Sequence, residues 1–96
     1  MIVRIVKMKF RQEELPNFIQ LFDEVKTSIA GFNGCSYLQL YKDVEEENSL
    51  YTYSIWESEK ALNVYRDSDL FKSVWPATKA MFGGKPNAWS YSQAVE

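Results

Sequence analysis

Apolar and polar positions alternate at the start of the chain and then change period. Val6, Met8 and Phe10 alternate with Lys7 and Lys9, the two-residue rhythm of a strand. The pattern predicts a first strand over Ile2 to Phe10. Val3 and Ile5 fall on the other parity, so its first half is apolar on both faces. From Glu13 to about Ala30 the rhythm lengthens. Leu15, Phe18, Phe22, Val25 and Ile29 recur at three- and four-residue steps, which predicts an amphipathic helix. Pro16 suits only the first turn of that helix, where a missing N–H has no partner to lose. Gly31 supplies a helix stop.

Alternation returns from Gly34 to Asp43, with Leu38 and Leu40 on one parity and Tyr37 and Tyr41 on the other. Glu45, Glu46, Glu47 and Asn48 form a charged connection of the kind that water solvates. A third strand is predicted from Ser49 to Glu57, pairing with the second as an antiparallel hairpin. Ser58 is placed to cap a following helix whose inward stripe is Ala61, Leu62 and Tyr65. Asp67-Ser68-Asp69 breaks that helix and caps the next. Phe71, Val74, Trp75, Thr78 and Phe82 continue at helical spacing, with a kink or break expected at Pro76. Gly83-Gly84-Lys85-Pro86 signals a turn. Trp89 to Val95 then reads as a fourth strand, with Trp89, Tyr91 and Val95 opposed to Ala88, Ser90, Ser92 and Ala94.

The order β-α-β-β-α-β is the split βαβ, or ferredoxin-like, arrangement of the α+β class. It implies a four-stranded antiparallel sheet with its helices on one side. The other side should then be polar if the chain acts alone. It is not: both parities of the third strand carry bulk, Leu50, Thr52, Ser54 and Trp56 on one and Tyr51, Tyr53 and Ile55 on the other. A second copy of the chain is the expected cover, giving a homodimer.

Ninety-six residues make one domain, residues 1–96. Such a chain hides roughly 60–70% of its unfolded surface. The net charge is −2 and the basic residues are scattered, unlike the clustered Lys and Arg of a nucleic-acid binder. No apolar run approaches a membrane span, and no charged-then-apolar leader precedes the first strand. A cytoplasmic protein is the expectation. Cys35 is the single cysteine, which rules out an intramolecular disulfide or a cysteine metal cluster. It reads as a small buried hydrophobe. Histidine is absent altogether.

Several short motifs, in order, resemble the antibiotic biosynthesis monooxygenase family of small dimeric α+β barrels. They are Gly34-Cys35 entering the second strand and Lys42-Asp43 leaving it. Trp56 ends the third strand, with Ser58, Ala61 and Leu62 after it, and Ser68, Asp69, Phe71 and Lys72 match a segment shared with a haem-degrading branch. That branch uses an asparagine on the first strand, a tryptophan on the third and an axial histidine on the later helix. Aligned to it, this chain has Val6, Trp56 and Trp75. With no imidazole to ligate iron, haem degradation is not expected. Many relatives also carry histidine where Tyr65 stands.

The resemblance implies an oxidoreductase without cofactor or metal, acting with molecular oxygen on a small electron-rich aromatic compound of polyketide or quinol type. Such a substrate supplies the electrons itself. The protein must bind a ring, favour its deprotonated form and exclude water. Thr52, Ser54 and Trp56 share one parity, and Tyr65, Phe71 and Trp75 could close over it. Trp56 is either a wall that stacks on substrate or a core residue. Tyr65 is either a hydrogen-bond partner for a substrate oxygen or an interfacial tyrosine. Trp56 and Tyr65 are the candidate catalytic residues; Arg4, Thr52, Ser54, Phe71 and Trp75 are the candidate substrate contacts. Arg4 is the odd residue on an otherwise apolar parity. Arg66 and Arg4 could pair with an anionic substrate, although Arg66, beside Asp67 and Asp69, reads more readily as a surface charge. No general base is identifiable. The alternatives are a non-catalytic dimeric small-molecule-binding or stress-response protein, or an isomerase or decarboxylase on the same barrel.

Overall fold

The computed structural model describes residues 1–95. Strands β1 (Ile2–Lys9), β2 (Cys35–Lys42), β3 (Ser49–Trp56) and β4 (Asn87–Ser92) form one sheet in the order β2-β3-β1-β4. Every neighbouring pair is antiparallel. A single 3-10 turn, Gln12–Glu14, leads into α1 (Leu15–Ala30); α2 (Glu59–Arg66) and α3 (Asp69–Lys79) lie between β3 and β4. The expected ferredoxin-like α+β fold is the fold observed.

The local causes are legible. Pro16 sits in the first turn of α1. The Ser58 hydroxyl accepts from the Ala61 N–H at 3.1 Å and opens α2. The Ser68 hydroxyl accepts from the Phe71 N–H at 3.1 Å and opens α3. It also donates to the Tyr65 carbonyl, so one serine holds the corner between the two helices. The core forms around Met8, Phe10, Phe18 and Leu50, where α1 meets the sheet. Phe10 and Phe18 stack with centroids 4.4 Å apart.

Three expectations need correction. The third helix does not break at Pro76 but runs on to Lys79. Proline forfeits only its own donor, and the Ala80 N–H still reaches the Pro76 carbonyl at 3.1 Å. Phe82 is not helical; it forms a bridge with Phe10, fixed by the Gly83 N–H donating to the Lys9 carbonyl at 2.8 Å. The fourth strand begins at Asn87 and ends at Ser92, not Val95. Its length is set by its partner: Lys7 pairs with Asn87, and Ile2, the first strand residue of β1, pairs with Ser92.

Candidate functional site

The register stacks small side chains beneath the helices. Arg4 on β1 pairs with Ser54 on β3 and with Ser90 on β4, and Val6 pairs with Thr52 and Ala88. A helix-facing sheet built from Ser, Thr and Ala at its middle cannot fill the space below the helices. The result is a cavity of about 230 Å³. Its walls come from all three α-helices and all four strands. Arg66, Asn87 and Ala88 are the exposed lining residues and mark its mouth.

Trp56 closes one end. Its side chain is 1% exposed, and the indole N–H donates to Ser54 Oγ at 2.9 Å. Tyr65 stacks on it at 4.8 Å and 26°, while Phe32 approaches both rings edge-on. Phe71 meets Tyr65 at 5.3 Å edge-on and stacks with Trp75 at 5.8 Å. The rings form a continuous aromatic wall from the end of β3 across the α2–α3 corner. Ser68 sets that corner, and with it the approach of Tyr65 to Phe71.

Few polar groups reach this wall. Burial pushes the Tyr65 phenol up to about 12, helped by the neighbouring Cys35 thiol. At neutral pH the hydroxyl is therefore a neutral donor or acceptor and cannot serve as a base. Burial also raises the Cys35 thiol above its ordinary value, so the sulfur is not an activated nucleophile. Its S–H points to the Tyr37 carbonyl at 3.5 Å. Arg4 Nη1 donates to Ser90 Oγ at 2.9 Å. The Arg4 guanidinium is pushed below its usual value, by desolvation first and by the Arg66 charge second. Among the described residues, neither Asp nor Glu is in the lining. Among the described residues, no group of three or more His, Cys, Asp or Glu side chains is arranged to hold a metal ion. Nor is any helix long and apolar enough to cross a membrane.

All seven residues singled out from the sequence, Arg4, Thr52, Ser54, Trp56, Tyr65, Phe71 and Trp75, line this one cavity. One feature differs from expectation: Tyr65 already occupies the stacking position on Trp56, so a ligand meets Phe71 and Trp75 more directly. Arg66 is exposed, as expected of a surface charge, and also lines the cavity mouth. Sequence reasoning missed Val25, Leu38 and Asn87; the first two lie on the apolar stripes of their elements, the only signal available for them.

The aromatic cavity at the end of β3 accords with a match to the family model described as antibiotic biosynthesis monooxygenase, over residues 1–75. The chain belongs to this family. Among solved structures, an antibiotic biosynthesis monooxygenase superposes with a TM-score of 0.91 at 15% identity, covering 99% of this chain and 100% of that one. A protein from Caulobacter crescentus CB15 named for the same family gives 0.89 at 24% identity, covering 99% and 90%. A conserved protein from Methanosarcina mazei Go1 gives 0.88 at 22% identity, covering 95% and 91%. At such identities these likenesses establish the fold. No curated protein sequence matches the chain.

Proposed function

We propose that the protein is a cofactor-independent monooxygenase acting on a small electron-rich aromatic compound. The observation that carries this reading is the aromatic cavity of about 230 Å³ beside Trp56, with only Arg4, Thr52, Ser54, Tyr65, Arg66, Thr78 and Asn87 as its polar or charged lining side chains. An apolar pocket with a few placed polar groups is the usual form of a site for a ring-shaped ligand. In the reaction, one atom of molecular oxygen enters a ring C–H bond of a dihydroxy-aromatic compound to give a C–OH. The two original hydroxyls become quinone carbonyls, and their two hydrogens leave with the second oxygen atom as water. All the electrons come from the substrate. The chain's part is to hold the ring against Phe71 and Trp75, keep water out, and stabilise negative charge on a substrate oxygen. The Tyr65 hydroxyl and the Arg4 guanidinium are the groups available for that last task. The working unit in this reading is a homodimer.

The test is an oxygen-uptake and product screen against dihydroxy-aromatic compounds, with Trp56→Phe beside the parent protein. Turnover should fall by about tenfold to a hundredfold in the variant, because the smaller ring loses its bond to Ser54 and lets Tyr65 shift. Unchanged turnover would remove Trp56 from the site. Binding of such compounds without oxygen uptake or product would favour the non-catalytic reading.

A further inference from the structure

Arg4 and Arg66 present a feature that oxygenation of a neutral ring does not require. Arg4 and Arg66 both line one small cavity, and among the described residues no Asp or Glu lines it with them. The ion pairs among the described residues are made by Lys7, Arg11 and Lys26. Asp67 follows Arg66 in sequence yet forms no ion pair with it. Arg4 itself donates to a neutral hydroxyl, Ser90 Oγ, at 2.9 Å. A guanidinium has five N–H donors, so most of this capacity is left for a ligand.

The cost of this arrangement makes it informative. Arg4 is desolvated by the sheet and repelled by Arg66, and its guanidinium is held below the usual value by both effects. Partly desolvating a charge without a counter-charge beside it is unfavourable. Arg66 has a role in its own element, since a cation in the last turn of α2 complements the helix dipole. Arg4 has only the single bond to Ser90 Oγ across to β4, standing mid-strand between Ser54 and Ser90. A hydrophobic or small polar residue would fit that position at less cost.

We propose that the cavity selects an aromatic carboxylate, whose anionic group is held by Arg4 and Arg66 near the mouth and whose ring lies against Phe71 and Trp75. This rests on the reading of the cavity as an aromatic-substrate site and narrows its substrate class. Charge-assisted bonds from two guanidiniums neutralise the anion and fix the direction of entry, carboxylate at the mouth and ring inward. The anion in turn removes the repulsion between the two arginines.

The experiment is titration calorimetry on the intact protein with 2-naphthoate and with its neutral isostere 2-naphthamide. Neither needs oxidation to be read, so binding is separated from turnover. The carboxylate should bind at least about tenfold tighter than the amide at neutral pH. That preference should vanish in Arg4→Gln, weaken in Arg66→Gln and persist in Arg4→Lys. Melting curves of the three variants report folding; Arg4→Gln removes a desolvated charge and should melt no lower than the parent. Equal affinity for the two probes, or a preference that survives Arg4→Gln with Arg66→Gln, would overturn the anion assignment and leave the aromatic site standing. Failure of both probes to bind would overturn the anion assignment and the aromatic-site reading together. Tight, arginine-dependent binding of naphthoate without oxygen uptake on any dihydroxy-aromatic acid would uphold the selectivity and sink the oxygenase.

Discussion

Tyr65 carries the clearest consequence of burial at the level of one side chain. Its phenol is pushed from 10.0 up to about 12 by desolvation and by the Cys35 thiol. Between these two values the folded protein keeps a proton that the unfolded chain has released. The native state therefore binds more protons, and stability falls as pH rises from about 10 to about 12. Below 10 this contribution is fully present. Two units correspond to something on the order of 2 kcal/mol. Urea melts of the parent and of Tyr65→Phe across this window should show a steeper loss in the parent, with the difference assigned to this phenol. Parallel pH dependences would mean that the hydroxyl is solvated. The phenol proton stays on under all ordinary conditions, so Tyr65 acts by hydrogen bonding and packing.

The junction of β2 and α2 shows how a backbone requirement positions the site. Gly34 has a φ of +93°, which L side chains disfavour, and a Cβ added to it would lie 2.6 Å from Ala61 Cβ. Its carbonyl accepts from the Glu57 N–H at 2.7 Å, tying the start of β2 to the end of β3. Gly34→Ala should cost about 2–5 kcal/mol, from left-handed strain plus overpacking. Adding Ala61→Gly should return the packing part and leave the strain. A thermal midpoint for Gly34→Ala equal to the parent's would show that α2 moves freely, contrary to this account. The sequence made the glycine visible but not the alanine it faces, because that contact joins positions 34 and 61 across the fold. Other elements divide in the same way. Caps at Ser58 and Ser68, the stripe of α1 and the alternation of β3 were legible because their causes are local. The end of β4 and the capture of Phe82 by Phe10 were not, since each is decided by where β1 begins or ends. Arg66 is exposed, as its acidic neighbours suggested, but its place at the cavity mouth was not legible, because the cavity is assembled from α2 and six other elements.

For the whole molecule, the decisive contrast is between the two faces of the sheet. One face meets the helices and encloses the cavity. The other carries Val3, Ile5, Tyr37, Tyr53, Ile55, Trp89 and Tyr91, by the register of the four strands. Tyr37 and Trp89 are each 40% exposed and Tyr91 is 51% exposed. Polar contacts gather at one side of this patch: Tyr51 donates to Asp43 at 2.8 Å and Lys7 pairs with Glu46 at 3.1 Å. An aromatic centre with charges beside it has the composition of a protein interface. We propose that two copies close these faces on each other. Trp89→Glu tests this with little risk to the chain's own fold, since an exposed edge position tolerates change within about 0.5 kcal/mol. The parent should sediment at twice the 11.2 kDa chain mass at micromolar concentration, and the variant at the single mass. A parent that is a stable monomer under those conditions would overturn the dimer. The cavity lies on the opposite face of the sheet. The monomeric variant should therefore still bind 2-naphthoate, within about threefold of the parent, if the site is complete in each protomer. A loss of binding together with dimerisation would mean that the partner shapes the site through the shared sheet, by fixing the twist that sets Arg4 between Ser54 and Ser90.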